Sequence, residues 1–304
     1  MVVELVLVLL ISSLWLMEPS AAAPPMAKHG CTDSCGAVTV PYPFGIGAEQ
    51  CYLEKGFEIT CKESANNPPK PFLTRFDLEV LSISLENQNV TVNVPVVPIC
   101  RGNPWRSANL TGSPFRFSAS NSFIVTGCGN ALLTNQSGAI VGGCTTTCNS
   151  SIIIDTDGCY GIYCCQVLIP SGLTIFNIKT TTEECTRSFL WYSAHSPISG
   201  DFSNSSTPVL LDWMIKSPDI FPRERLSSTW GDANGSVISY GYSCPTYYEG
   251  NPYISNGCEG TYNFLLHSLP NLFTMKFSRH DVTWGVAPSK QCLVDCLAPL
   301  TFMR

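Results

Sequence analysis

Residues 81–94 read LSISLENQNVTVNV: two runs, Leu81-Ser-Ile-Ser-Leu85 and Val90-Thr-Val-Asn-Val94, joined by Glu86-Asn87-Gln88-Asn89. Alternation of apolar and polar residues puts the apolar side chains on one face of a strand, and the polar join reads as a turn. The segment therefore predicts a β-hairpin with one buried face. Pro95 and Pro98 follow; proline has no N–H to give a ladder, so the end of the second strand is expected at a sheet edge. Outward from the hairpin the same texture recurs, with strand candidates at 57–61, 115–118, 123–126, 163–169 and 173–178, separated by Gly, Pro, Asn and Ser. No amphipathic helix of persuasive length interrupts them. The fold class expected is all-β, as disulfide-rich small β domains in tandem.

Residues 5–17 form a mostly apolar run, followed by Glu18, Pro19 and the small residues Ser20 to Ala23. This reads as a secretory signal peptide over residues 1–22, although Glu4 stands where a basic residue is usual. Behind it the chain holds 16 cysteines. An even number in an exported chain argues for disulfides. Fourteen are assigned to bridges whose connectivity spacing alone leaves open: Cys31, Cys35, Cys51, Cys61, Cys100, Cys128, Cys144, Cys148, Cys159, Cys164, Cys165, Cys185, Cys244 and Cys258; Cys292 and Cys296 lie in the C-terminal tail. His29, His195, His267 and His280 show no finger-like spacing, so no metal site is expected. Six acceptors for N-linked sugar (Asn89, Asn109, Asn135, Asn149, Asn204 and Asn234) and only 13% charged residues fit a glycosylated ectodomain.

The stretch Cys35-Gly-Ala-Val-Thr-Val-Pro-Tyr-Pro-Phe-Gly-Ile-Gly47 is stiff and aromatic. Pro41 and Pro43 remove two donors, so it can be an edge strand or a polyproline-like segment but not a central strand. Gly45 and Gly47 permit a reversal afterwards. Tyr42 and Phe44 are expected to cover a small core beside the cysteine pairs, with ligand contact as the other reading.

Cys31-(x3)-Cys35-Gly36, Tyr42-Pro-Phe-Gly-Ile46, Cys51, Phe57-Glu-Ile-Thr-Cys61 and Cys100 closely resemble the galacturonan-binding domain of plant wall-associated receptor kinases, over residues 31–100. Gly161-Ile-Tyr-Cys-Cys-Gln-Val-Leu-Ile-Pro170, Cys185 and Leu211-Asp-Trp213 look like the cysteine-rich domain that follows it in that family, here 101–230. Tyr248-Glu-Gly-Asn-Pro-Tyr253 and Asn256-Gly-Cys258 resemble the end of an EGF-like module, a partial remnant over 231–260 whose calcium binding is not carried over. After Gly260 the resemblance stops, leaving a divergent tail at 261–304. Gly45-Ile-Gly47 lacks the third glycine of a kinase loop, Gln50 standing in its place, and no kinase-type catalytic Asp motif is present, so the chain is not expected to be a kinase.

The resemblance implies binding of pectin or oligogalacturonides, whose carboxylates need Arg or Lys and whose rings need flat aromatic faces. Residues 31–100 hold four bases (Lys55, Lys62, Lys70, Arg75) against eight acids, a formal net of −4. That opposes a polyanion unless the bases share one face or calcium bridges the two. Residues 101–154 hold Arg101, Arg106 and Arg116 and no acid, with Trp105, Phe115 and Phe117 close by. In Phe115-Arg-Phe117 alternation sets the rings inward and Arg116 outward. Lys62, Lys70, Arg75, Arg101, Arg106 and Arg116 are accordingly the candidate carboxylate partners.

No nucleophile elbow, zinc-protease helix or P-loop occurs, and Asp155-Thr-Asp157-Gly158 has the look of a turn, so no enzyme is expected. No cofactor is expected beyond that bridging calcium, and no nucleic acid. The rival reading is a protein- or peptide-binding ectodomain or decoy, with a receptor partner. Either way the chain is expected to be secreted or at the cell surface.

Overall fold

The computed structural model describes residues 24–65, 67–96, 98–100, 105–148, 159–180, 185–192, 206–231, 236–264 and 273–277. The signal-peptide reading, Arg101, Asn149, Asn204, Asn234, Cys292 and Cys296 fall outside them. Among the described residues there is no α-helix, only strands and three short 3-10 turns, so the all-β expectation holds. No helix among them is long and apolar enough to cross a membrane.

The chain divides into two units. The larger is Met26–Cys244 with Asn251–Ser255; the smaller is Pro245–Gly250 with the described parts of Met1–Pro25 and Asn256–Arg304. The smaller one holds a three-stranded antiparallel sheet of Tyr248–Gly250, Cys258–Phe264 and Phe273–Phe277.

A seven-stranded sheet organises the larger unit. Its order is Phe115–Phe117, Ser206–Trp213, Asn89–Pro95, Leu78–Ser84, Asn67–Leu73, Glu58–Ser64 and Gly45–Ile46. Residues from the 31–100 and 101–230 stretches thus complete one ladder. The hairpin of Leu78–Ser84 and Asn89–Pro95 forms as its alternation requires, with Val90 and Val92 fully buried and Thr91 and Asn93 on the other face. Two details differ from the sequence expectation. A bulge between Val80 and Ser82 turns Leu81 outward, leaving it 40% exposed. Strand Asn89–Pro95 is also interior, not an edge, because Ser206–Trp213 pairs along its whole length. Pro95 is tolerated as its last residue, beyond the final pair with Leu78–Ser84 at Glu79 and Asn93.

Beside two-stranded pairs of Ser34–Cys35 with Val38–Thr39 and of Leu226–Gly231 with Val237–Tyr242, this unit holds two further, larger sheets. One runs Tyr160–Ile162, Cys164–Leu168, Ser122–Thr126, Thr186–Trp191, Pro98–Ile99; the other runs Ile140–Thr146, Gly129–Thr134, Ile175–Lys179, Trp105–Asn109. The strand expected from Tyr163 begins one residue later, because Tyr163 has φ +56° and turns the chain. Disulfides Cys31–Cys51, Cys35–Cys61, Cys100–Cys185, Cys128–Cys148, Cys144–Cys165 and Cys159–Cys164 staple these layers; Cys144–Cys165 joins the second sheet to the third. Cys244 and Cys258 are also disulfide-bonded.

The proline-rich stretch lands where its missing donors require, with Gly45–Ile46 at the sheet edge, parallel to Glu58–Ser64. A Cβ on Gly45 would lie 2.1 Å from the Cys51 carbonyl oxygen, so only glycine fits this close approach. Phe44 is fully buried, with ring centroids 5.1 Å from Phe57 and 5.8 Å from Trp213, both edge-on. Tyr42 is buried as well. Both rings are core, as the structural reading of this stretch expects. Asn251, fully buried, donates from Nδ2 to the carbonyls of Met26 and Tyr42, each at 2.7 Å, and holds the stretch against the core.

Candidate functional site

Strand Asn67–Leu73 reads Asn-Pro-Pro-Lys-Pro-Phe-Leu, and alternation sends Lys70 and Phe72 to the outer face while Pro71 and Leu73 are buried. Its antiparallel partner sets Lys62 directly opposite Lys70 and Thr60 opposite Phe72. Two like charges are therefore held side by side beside one aromatic ring. Lys62 Nζ lies 4.0 Å from the centre of the Phe72 ring, a cation–π contact worth about 0.5–1 kcal/mol at an exposed position.

Neither lysine is a bare cation. Lys62 pairs with Asp77, and Lys70 pairs with Glu79 Oε1 at 2.6 Å. Glu79 stands opposite Phe72 and also accepts from Asn93 Nδ2 at 3.1 Å. Hydrogen bonds from Lys70 and then Asn93 hold its carboxyl below the usual carboxylate range, against the opposing effect of burial. Arg75, in the turn after Leu73, donates to the carbonyls of Thr111, at 2.9 Å, and Gly112. It clamps two loops.

Arg116 lies elsewhere. Phe115 and Phe117 are buried as alternation predicts, and Arg116 on the opposite face is half-buried opposite Asp212. Its Nε is buried without a hydrogen-bond partner, and Nη2 points at the Met214 sulfur. Burial pulls this guanidinium below its ordinary range, with Asp212 opposing; burial likewise pushes the Asp212 carboxyl up, against a Ser118 hydrogen bond and Arg116. Four strand spacings, about 19 Å, separate Arg116's strand from that of Lys70. Arg106 belongs to another sheet, where its backbone pairs with Ile178.

Of the six candidate cations, the structure brings Lys62 and Lys70 together, sets Arg75 in the adjoining turn and places Arg116 and Arg106 apart. Sequence reasoning missed Phe72, Asp77, Glu79 and Asn93. The period-two step from Lys70 to Phe72 was available as a signal; the cross-strand register that brings Lys62, Glu79 and Asn93 beside them was not. Among the described residues no group of three or more His, Cys, Asp or Glu side chains is arranged to hold a metal ion.

Residues 31–94, which include this face, match the family described as wall-associated receptor kinase galacturonan-binding. Among similar proteins of Arabidopsis thaliana, wall-associated receptor kinase-like 3 is 30% identical over 79% of this chain and 40% of its own length. Wall-associated receptor kinase-like 1 is 31% identical over 77% of this chain and 39% of its own length, and wall-associated receptor kinase-like 10 is 31% identical over 75% and 38%. The chain spans about two fifths of the length of these curated relatives. No solved structure matches it. Residues 31–94 thus match the galacturonan-binding domain model of wall-associated receptor kinases, and over about three quarters of its length the chain is similar to wall-associated receptor kinase-like proteins.

Proposed function

We propose that this chain is an extracellular polysaccharide-binding module that holds pectin-type galacturonan reversibly, without making or breaking a bond. The observation that carries the reading is the family match over residues 31–94. The face of Lys62, Lys70 and Phe72 supports it, because it offers two ammonium groups and one ring on rigid strands. An anionic polymer held this way is bound by distributed ionic contacts that salt screens.

The test is retention of the whole oxidised chain on immobilised demethylated pectin, with and without calcium. Retention is expected at low salt, falling as salt rises past about 0.1 M, where the Debye length is about 10 Å, and falling as carboxylates are esterified. Lys62→Ala/Lys70→Ala is expected to weaken it roughly tenfold, the scale of two charge-assisted contacts. Retention indifferent to salt and esterification would point to a protein partner, and release of reducing ends would point to catalysis.

An exported chain of this kind meets the glycosylation machinery, and the described acceptors differ in setting. Asn109 and Asn135 sit at turns where Oδ1 is the engaged atom, accepting the Thr111 N–H at 2.8 Å in the first and the Ser137 hydroxyl at 2.8 Å in the second. Asn89 is half-buried in mid-sheet between Ser84 and Asp212. Peptide mapping of the protein expressed in plant cells should find sugar at Asn109 and Asn135 in most molecules, and at Asn89 in fewer. Equal occupancy at all three would remove the structural distinction.

A further inference from the structure

We infer that Asp77 and Glu79 are built-in competitors for the ligand's carboxylates, each occupying the lysine that would otherwise receive a uronate. The inference rests on the reading that this chain binds a galacturonan.

Its starting point is the strand register. Setting Lys62 opposite Lys70 on one face is unfavourable in itself, since like charges directly across a strand pair repel. The segment that follows supplies one carboxylate to each: Asp77 from the turn, where φ is +54°, and Glu79 from the next strand. The result is a face that has the groups an acidic sugar needs but is already neutralised.

The two pairs are not equivalent. Asp77 is 74% exposed at its side chain and its partner Lys62 lies over Phe72, so moving Lys62 toward a ligand also uncovers the ring. Glu79 is only 19% exposed and is anchored a second time by Asn93, so it is the more persistent competitor. Exchange at the exposed Lys62–Asp77 pair is cheap, because such pairs are weak in solution, and it costs more at Lys70–Glu79. A single uronic acid gains little by replacing one carboxylate with another. A chain of them gains at several points at once, so the arrangement favours polymer over monomer.

The experiment is calorimetric titration of a demethylated oligogalacturonide, and separately of galacturonic acid, into the whole oxidised chain at low ionic strength. Three proteins are compared: the unsubstituted chain, Asp77→Asn/Glu79→Gln, and the charge-matched control Glu54→Gln/Glu86→Gln, whose acids are exposed. Near-isosteric amides keep shape and much of the hydrogen bonding, and thermal melts of all three establish folding. Removing the competitors should tighten oligomer binding roughly three- to tenfold, as expected for one exposed and one partly buried pair, and the control should change it less than twofold. Gly112→Ala, strained at φ +70° and leaving both lysine pairs in place, serves as the variant for a loosening of the Arg75 clamp beside the face and should not tighten binding. If the unsubstituted chain binds and the Asp77/Glu79 variant binds equally or more weakly, the inference fails while the binding reading stands. Equal tightening by the control would reduce the effect to overall charge and overturn the inference too. Binding seen only in the Asp77/Glu79 variant supports it in its strongest form; binding by none of the proteins removes the reading and the inference together.

Discussion

Trp213→Ala is expected to lower the stability of the oxidised chain by about 3–5 kcal/mol, the range for deleting a buried large aromatic side chain. Trp213 is among the largest fully buried side chains and closes the end of strand Ser206–Trp213. Its ring meets Phe44 and Phe57, both at 5.8 Å, and Tyr253 at 5.4 Å, all near edge-on. One residue therefore bridges rings from two distant parts of the sequence, Phe44 and Phe57 in one and Tyr253 in the other, and its loss leaves a cavity that rigid, disulfide-tied strands cannot collapse to fill. Trp213→Phe separates volume from chemistry. The indole N–H is buried without a hydrogen-bond partner, so phenylalanine removes an unpaired donor while keeping much of the ring. Denaturant melts under oxidising conditions should place Trp213→Phe within about 1.5 kcal/mol of the parent, the usual cost of a modest change in core volume, and far above Trp213→Ala. Equal losses in the two variants would mean that the ring cluster is not what closes this core.

That core was partly legible. Alternation marks Val90 and Val92, and the paired prolines around Tyr42 place the stretch ending in Phe44 at an edge, because these signals are local and depend only on pleat and donor count. Strand Asn67–Leu73 escaped sequence reading, since Pro68, Pro69 and Pro71 argue against a strand. They are accommodated because its pairing with Leu78–Ser84 involves only Phe72 and Leu73, leaving the proline-bearing part bonded on one side alone. The cost was functional as well as architectural, because this is the strand that carries Lys70 and Phe72. The register of Ser206–Trp213 against Asn89–Pro95 was equally out of reach: it depends on which apolar faces meet after the chain has crossed two other sheets. Arg116 shows the limit of composition. In the sequence it stands in the most cationic stretch of the chain, yet the pairing of its strand puts it opposite Asp212 and buries half of it. A count of charges cannot tell a guanidinium offered to a ligand from one already spent on the fold.

Removing the Cys100–Cys185 bridge, as Cys100→Ala/Cys185→Ala, should cost about 4–5 kcal/mol, because it closes a loop of sequence separation 85. The same double replacement at Cys159–Cys164, with a separation of 5, should cost roughly 2 kcal/mol on the same chain-entropy scale. The difference arises in the unfolded chain, where the long bridge excludes many more conformations than the short one. Native contacts reinforce it: Ile99, next to Cys100, pairs with Thr186, next to Cys185, and this pairing adds strand Pro98–Ile99 to its sheet. The bridge also fixes the span that begins just after the galacturonan-binding family match and ends before Ser206–Trp213 returns to complete the seven-stranded sheet. Without it the long span gains freedom, and that returning strand must pair against a larger entropy. Equilibrium unfolding of the two double variants beside the parent, with free thiols assayed to exclude reshuffling, measures both costs. If the short bridge proved as costly as the long one, loop entropy would not be its main contribution, and local packing around Cys159 would have to be.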